Sequence, residues 1–323
     1  MQQDQPRPQV IYPPEPPGFF RSQFNLWRRR YINWRRLWRP LMESPIGLVG
    51  VVIIVLFALL ALVQPLLLST VWAGTVYDPI MGYDPEVQHP ALPSISHPLG
   101  TDYKGRDVLS QLALATRTSF GVGIVAALVG TIVATTIGVA SAYYLNQVDT
   151  VLMTMADVFI MLPPAVVLLS VGMLFEMSWY HVGLLYGVFA GLGSFAIMVK
   201  AHTLAIMTKQ HILAARIAGG TNWRILRVHI LPNLAALIMV NMMFIVTGSV
   251  MIEALLSYLD RTHFRLSWGS MIWQTIDNFK GAAVGLQWHV LLAPAIAIML
   301  FCGAFYMVAR TLDEVFNPSL RPR

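Results

Sequence analysis

Apolar residues fill this chain in long runs, and polar residues gather in short intervals between them. Six runs, at about 46 to 68, 118 to 144, 151 to 175, 182 to 206, 233 to 259 and 288 to 309, are each long enough for a helix to cross a bilayer. Crossing takes roughly 20 residues, because the hydrocarbon layer is about 30 Å thick. The pattern predicts an all-α integral membrane protein with six transmembrane helices. In the second run Ala126, Gly130, Ala134, Gly138 and Ala142 recur four apart, and in the fourth Gly183, Gly187 and Gly191 do the same. Small residues at that interval let helix backbones approach closely in lipid, where no hydrophobic force drives helices together. Pro163-Pro164 interrupts the third run and predicts a kink, since proline has no N–H to give.

The polar intervals set the orientation. Arg28, Arg29, Arg30, Arg35, Arg36 and Arg39 precede the first run, Lys209, Arg216, Arg224 and Arg227 lie between the fourth and fifth, and Arg310, Arg321 and Arg323 follow the sixth. With an even number of spans these groups share one side, which the excess of cationic residues in cytoplasmic loops makes the cytoplasm, so both termini are expected there. The interval from Ser69 to Arg117, with Asp78, Asp84, Glu86, Asp102 and Asp107 against Lys104, Arg106 and Arg117, then faces outward. The N-terminus does not read as a secretory signal, because its first apolar run starts only at Ile46 and is too long for a signal core. Residues 1–18 are too proline-rich to fold alone and read as a disordered cytoplasmic tail. Over 19–45, Phe24, Trp27, Tyr31, Trp34 and Trp38 fall on one helical face with arginines around it. That pattern suits an amphipathic helix in the lipid interface, in preference to a soluble helix packed on another subunit.

Composition agrees with the pattern. Of 323 residues 56% are hydrophobic and 12% charged, and the mean hydropathy is +0.61, far too apolar for a water-soluble domain. The net charge of +6 does not by itself point to nucleic acid, and none is expected as a partner. A single cysteine, Cys302, excludes an internal disulfide and a paired-thiol metal site. Catalytic chemistry is missing as well: there is no phosphate-binding loop, no H-E-x-x-H, no nucleophile elbow and no His/Cys cluster at ligand spacing. No catalytic residue, no metal site and no cofactor are expected in this chain. If nucleotide energy is used, ATP and Mg belong to partner subunits.

Two acids fall inside the runs. Asp157 lies early in the third and Glu253 in the fifth, toward its outer end. A carboxylate in hydrocarbon costs about 2.5 to 3.5 kcal/mol on insertion scales, so each needs a partner, water or a pore. Both are candidates for the lining of a translocation path, and a hydrogen bond to a neighbouring helix is the alternative for each. Lys200 and His202, at the inner end of the fourth run, read as side chains reaching for the interface, and His289 as an interfacial residue.

The interval from His211 to Asn233, HILAARIAGGTNWRILRVHILPN, holds small residues, a double glycine and several bases but no acid. It predicts a helix to Ala218, a stop at Gly219-Gly220, a second short helix capped by Thr221 or Asn222 and carrying Trp223 and Arg224, and Pro232 in the first turn of the fifth span. Such order exceeds what a connecting loop requires. Ala214, Ala215 and Gly219 keep a face low enough for another protein to come close, with Arg216 and Arg224 available to its acids. A solvated basic loop is the plainer alternative, and it explains the charge but not the small-residue spacing.

The same stretch, AARIAGGTNWRILRVHILPN, resembles the EAA loop of ABC-importer permeases through Ala214, Ala215, Gly219, Leu231 and Pro232. HPLGTDYKGRDVLSQ, from His97 to Gln111, is similar to the outward-loop signature of the dipeptide, oligopeptide and nickel subfamily. Glu253-Ala254, Leu256 to Leu259, Trp268-Gly269, Met271-Ile272 and the ending Asn317 to Arg321 match in the same order, so the likeness covers about Ile46 to Arg321. It implies a permease of the type I importer fold in a bacterial or archaeal cytoplasmic membrane, with a permease domain over 46–323 comprising a first span at 46–68, an outer loop at 69–117 and five core spans at 118–309. The implied partners are a homologous permease forming a heterodimer, two ATP-binding subunits, an extracytoplasmic solute-binding protein that delivers peptides or similar solutes, and membrane lipid. The loop at 208–232 is then the coupling segment, with Leu213, Ala214, Ala215, Arg216, Gly219, Gly220, Thr221, Trp223 and Arg224 at the ATPase contact. Leu213 replaces the family's glutamate, so that contact rests on packing and the remaining bases. Asp260-Arg261-Thr262 departs from the family's glycine-rich sequence after the fifth span. The rival from the residues alone, a stand-alone secondary transporter or channel, wants several mid-membrane polar residues or an inverted repeat, and neither is evident.

Overall fold

A computed structural model describes residues 44–72, 75–259, 266–281 and 287–316 of the chain. The tail at 1–18, nearly all of the interfacial helix expected over 19–45, the Asp260-Arg261-Thr262 departure and the Asn317 to Arg321 ending lie outside the described residues. Every described element is helical. In chain order they are α1 (Pro45–Leu67), α2 (Val108–Tyr143), α3 (Gln147–Met161), α4 (Pro164–Leu174), α5 (Trp179–Leu192), α6 (Ser194–Met207), α7 (Gln210–Ile217), α8 (Asn222–Ile225), α9 (Leu231–Leu259), α10 (Trp268–Gly281) and α11 (Trp288–Phe316). Wider π turns follow α1 and join α8 to α9.

Four continuous helical stretches are long and apolar enough to cross a membrane, and two bent pairs pass the same test together. The kink expected at Pro163-Pro164 is a bend of 82° between α3 and α4. The fourth run was expected as one helix, but it bends by 43° at Gly193, between α5 and α6. The second helix starts ten residues before its apolar run, at Val108, because Asp107 caps it by accepting from the Ser110 N–H at 2.8 Å. Its 36 residues extend over about 54 Å at ~1.5 Å per residue, so one end stands clear of the hydrocarbon. The short helix α10 had no counterpart among the expected elements: its apolar residues are too few for a span, and its buried face gains its cover from α9 and α11, with further contact to α1 and α2.

The small-residue stripes meet each other. Ala126, Gly130, Ala134, Gly138 and Ala142 are all buried, and α5 and α6 lie along them. A Cβ at Gly187 would sit 2.7 Å from the Ala126 carbonyl oxygen and 3.1 Å from the Gly130 nitrogen, and one at Gly191 would sit 2.6 Å from the Gly130 carbonyl. The backbones are therefore in direct contact, the arrangement that gives lipid-embedded helices their van der Waals attraction. Phe301 of α11 is the hub of an aromatic cluster. Its ring centroid lies 5.4 Å from Phe57 of α1, 5.6 Å from Phe120 of α2 and 5.3 Å from Trp268 of α10. These edge-on pairings tie four helices through one side chain.

Substituting Gly187 by leucine is expected to cost at least the roughly 1–3 kcal/mol of an overpacked core, because its neighbours are backbone atoms that cannot swing aside. Gly303→Ala, where an added Cβ meets nothing within 4 Å, should be neutral or slightly stabilising. Thermal unfolding of the two variants in the same detergent checks the pair.

Candidate functional site

The interval between the fourth and fifth apolar runs forms a small platform. Helix α7 ends in a glycine cap: the Gly219 N–H donates to the Arg216 carbonyl and the Gly220 N–H to the Ala215 carbonyl, both at 3.0 Å. Gly219 has φ +77°, the left-handed conformation this cap requires and the reason a glycine stands there. Thr221 takes the extended backbone of an N-cap for α8, without a side-chain bond to it. From Asn222 the chain stays helical through the π turn into α9, a continuous stretch of 38 residues to Leu259. Pro232 is the second residue of α9 and so stands in its first turn, as its position suggested, with the π turn carrying the helix on from α8.

The platform has an inside and an outside. Ile212, Ile225, Ile230 and Leu234 are buried against Val139, Val199 and Ile206 of α2 and α6. On the outside, Ile217 is 89% exposed, Trp223 67% and Leu213 47%, and Ala214, Arg216, Thr221 and Arg224 are exposed with them. The two alanines are divided: Ala214 faces outward, while Ala215 is half-buried against the platform's own core. Gly220 is half-buried, with its Cβ direction closed by the Ala215 carbonyl at 2.8 Å. Sequence reasoning singled out the small residues and passed over Ile217. Spacing gave no signal: Ile212 and Ile217 are five apart with one buried and one exposed, whereas Ile225 and Ile230, also five apart, are both buried.

The two acids inside the runs have opposite surroundings. Glu253 is fully buried among serines: Ser119 of α2 donates to one carboxylate oxygen at 3.0 Å, Ser257 to the other at 2.9 Å, and Ser267, just before α10, donates on to Ser257 at 3.1 Å. Asp157, on α3, is exposed and has no hydrogen-bond or ion-pair partner among the described residues. The structure does not bring the two together. Lys200, expected to reach for the interface, instead pairs with Asp149 of α3 at 2.5 Å, and Ser141 bonds the same carboxylate. Among the described residues no three His, Cys, Asp or Glu side chains gather as metal ligands would.

Comparison with known proteins identifies the chain. The family profile described as "Binding-protein-dependent transport system inner membrane component" matches residues 126–322, and that of the "N-terminal TM domain of oligopeptide transport permease C" matches residues 33–92. The chain belongs to this permease family. Among its relatives are a glutathione transport system permease protein of Pectobacterium atrosepticum, 28% identical over 89% of this chain and 92% of the relative, and a dipeptide transport system permease protein of Bacillus subtilis, 28% identical over 88% and 85%. A putative peptide transport system permease protein of Brucella suis is 29% identical over 71% and 76%. It is a multi-pass ABC transporter permease of the dipeptide and oligopeptide type.

In this permease the signature from His97 to Gln111 is a knot that fastens the loop between α1 and α2 to the start of α2. His97 is fully buried, its Nδ1 2.9 Å from Asp107 and its Nε2 3.2 Å from Asp84. The capping carboxylate of α2 is thus also a partner of the histidine. Asp102 binds the Arg106 guanidinium at 2.6 Å and accepts from Gln111, while Arg106 donates on to Gln274 of α10 at 3.0 Å. Gly100 and Gly105 hold φ of +77° and +83°, where a side chain would strike His289 and Tyr83 respectively. His289, expected at the interface, lies with its Nε2 3.3 Å from the Thr101 carbonyl oxygen, so α11 joins the same knot.

Burial alone would lower the His97 pKa, but the flanking Asp107 and Asp84 carboxylates hold it above the ordinary 6.5. A backbone bond from Glu86 and the bond to His97 hold Asp84 below its usual 3.8. The histidine's contribution is complete below pH 6.5 and is lost as pH rises through its elevated value, whereas that of Asp84 holds above 3.8 and is lost on acidification. Hydrogen exchange across residues 75–107 is therefore expected to speed up as pH is raised past neutrality, after correction for intrinsic exchange. In His97→Gln the loop should exchange faster than wild type near pH 6 and lose that pH dependence.

Proposed function

We propose that this permease is one of two homologous membrane subunits of an ATP-driven importer, and that the α7–α8 platform is where an ATP-binding subunit seats itself. In this reading the chain crosses the membrane six times with both termini in the cytoplasm, each bent helix pair counting as one span, and the bacterial or archaeal cytoplasmic membrane is its location. A binding protein delivers the solute from outside. Peptides or similar solutes are the cargo class, by analogy with the peptide, dipeptide and glutathione systems of the relatives. ATP and Mg bind to the partner subunits and not to this chain. The division into a tail at 1–18, an interfacial helix at 19–45 and a permease domain at 46–323, with its coupling loop at 208–232, belongs to the same proposal.

The observation that carries the reading is the outward face of the platform. Ile217, Trp223 and Leu213 stand in the open on a base made rigid by buried Ile212, Ile225 and Ile230. Large apolar side chains held out by a packed support suit a protein surface better than they suit water. Leu213 occupies the place of the family's glutamate, so the seat relies on apolar contact, with Arg216 and Arg224 at its margin. The mechanics follow from continuity. A displacement at Trp223 acts on the first turn of a helix that runs unbroken to Leu259 and is bound near its far end, through Glu253, to α2. Moving a two-state transporter from mostly one state to mostly the other takes about 5.5 kcal/mol of differential binding, and this stiff helix is a route for the platform's share.

Ile217→Glu puts a charge into the proposed seat without touching the platform's interior. In the assembled transporter it is expected to lower solute uptake at least about tenfold, equivalent to ~1.4 kcal/mol, while the permease still folds and the ATPase subunits still hydrolyse ATP. Uptake assays in proteoliposomes, with ATP turnover measured in parallel, read both quantities. Wild-type uptake at wild-type ATP cost would remove the platform from the coupling path.

A further inference from the structure

We propose that the groove between the N-terminal end of α1 and the C-terminal end of α11 holds one anionic phospholipid, its acyl chain along the groove and its phosphate on Arg310. The inference goes beyond the permease reading and needs only that α1 and α11 cross the membrane; the α7–α8 platform does not enter it. The two helices touch where α1 has no side chain: a Cβ at Gly50 would lie 2.8 Å from the Ala304 carbonyl oxygen. Beside that contact they leave a groove of about 530 Å³, lined by Ile46 and Val49 of α1 and by Gly303, Tyr306, Met307 and Arg310 of α11. The α11 residues follow one another at helical spacing, so they form one stripe about 10 Å long at ~1.5 Å per residue. Gly303 opens the deep end of the stripe, where an added Cβ meets nothing within 4 Å. Ile46 and Val49 are half exposed, so the groove opens to the surroundings of the helices and not to the protein's core.

The occupant has to be apolar along most of its length and anionic at one end. The groove is lined by hydrocarbon apart from the Tyr306 hydroxyl and the Arg310 guanidinium. Tyrosine and arginine at the end of a span stand at head-group depth. Arg310 is 59% exposed and pairs with Glu314 one turn on at 3.0 Å, an exposed pair in the less favourable order, so little is lost when a phosphate takes the carboxylate's place. A guanidinium offers a phosphate two parallel N–H bonds. The charge around the groove has the same sign. Pro45 begins α1, whose first turn holds no acid, and the sequence leading into it carries Arg28, Arg29, Arg30, Arg35, Arg36 and Arg39 against Glu43. Arg39 lies six residues before Pro45, so even a fully extended chain keeps it within about 22 Å of the groove. Basic clusters at the end of a span attract anionic lipid. Leu56, Leu59, Leu62 and Leu66 provide the contrast: they are exposed further along α1, a helix without a charged residue, and suit lipid of any head group.

The test uses the complete transporter, co-expressed with its companion subunits and placed in nanodiscs of dioleoylphosphatidylglycerol and dioleoylphosphatidylcholine in equal amounts, with Cys302→Ser as background. Benzophenone is attached at Ile46→Cys or Val49→Cys on the groove wall and, as a control, at Leu62→Cys, and mass spectrometry identifies what each site captures on irradiation. Both groove sites are expected to capture phosphatidylglycerol several-fold over phosphatidylcholine, and Leu62 to capture the two alike. Arg310→Gln should lower that preference several-fold, and Arg310→Lys should recover part of it. Gly303→Leu, whose side chain fills the deep end without striking a neighbour, should lower capture of either lipid in the groove and leave Leu62 unchanged. The same lipid ratio at the groove sites as at Leu62 overturns the proposal, as does a preference that Arg310→Gln leaves intact. Capture of protein in place of lipid, whether a companion subunit or residues 19–45 of this chain, overturns it too. The comparison of groove and control sites needs neither groove variant, so it decides even where one of them folds poorly. Loss of the ATPase subunits on purification counts against the function proposed above, whereas an unselective groove in a complex that contains them counts against this inference alone.

Discussion

Hydrocarbon solvates neither a backbone amide nor a carboxylate, and that single fact governs how this chain is built. Being as apolar as the side chains, hydrocarbon also offers no hydrophobic drive to press helices together, so cohesion has to come from surfaces that touch over their whole length. The contact of Gly187 and Gly191 with the backbone of α2 is that solution, and five small residues along α2 keep its surface open. The same fact requires each buried acid to be answered inside the protein. Glu253 takes hydrogen bonds from α2 and from its own helix, and the serine network continues to the residue preceding α10, so it fastens three parts of the fold where a charge alone would break them.

Stiffness is distributed according to that logic. The loop between α1 and α2 has little apolar core, and it is held by ions and hydrogen bonds that converge on His97, Asp102 and Thr101 and reach α10 and α11. The α7–α8 platform is held the other way, by isoleucines packed on α2 and α6, and by a glycine cap whose geometry admits few other residues. Between them runs one long helix. That helix is tied near its far end to α2 through Glu253 and Ser119.

Much of this was legible beforehand. The small-residue stripes, the break at Pro163-Pro164 and the stop at Gly219 follow from properties of single residues and their spacing, and each is where the pattern put it. Other features were not legible, for physical reasons. The 43° bend at Gly193 falls on a Gly-Ser pair, a known kink site that the continuous apolar run around it masked. Helix α10 is too short and too mixed to register as a membrane element, and its amphipathic face acquires meaning only once α9 and α11 lie against it. Lys200 looked like an interfacial cation until Asp149, 51 residues earlier, was brought within 2.5 Å.

The division is sharpest at the two intramembrane acids. The amino-acid order by itself determined that this is a helical membrane protein, which stretches are oil, where the basic residues gather and that an ordered elbow precedes the fifth apolar run, because these depend on composition and on periods of three or four residues. Only the tertiary structure decided that Glu253 is enclosed by serines while Asp157 stands open, and that Ile217 projects where Ala215 turns inward. Those outcomes depend on which distant helix arrives at each position, and burial is a property of that arrival.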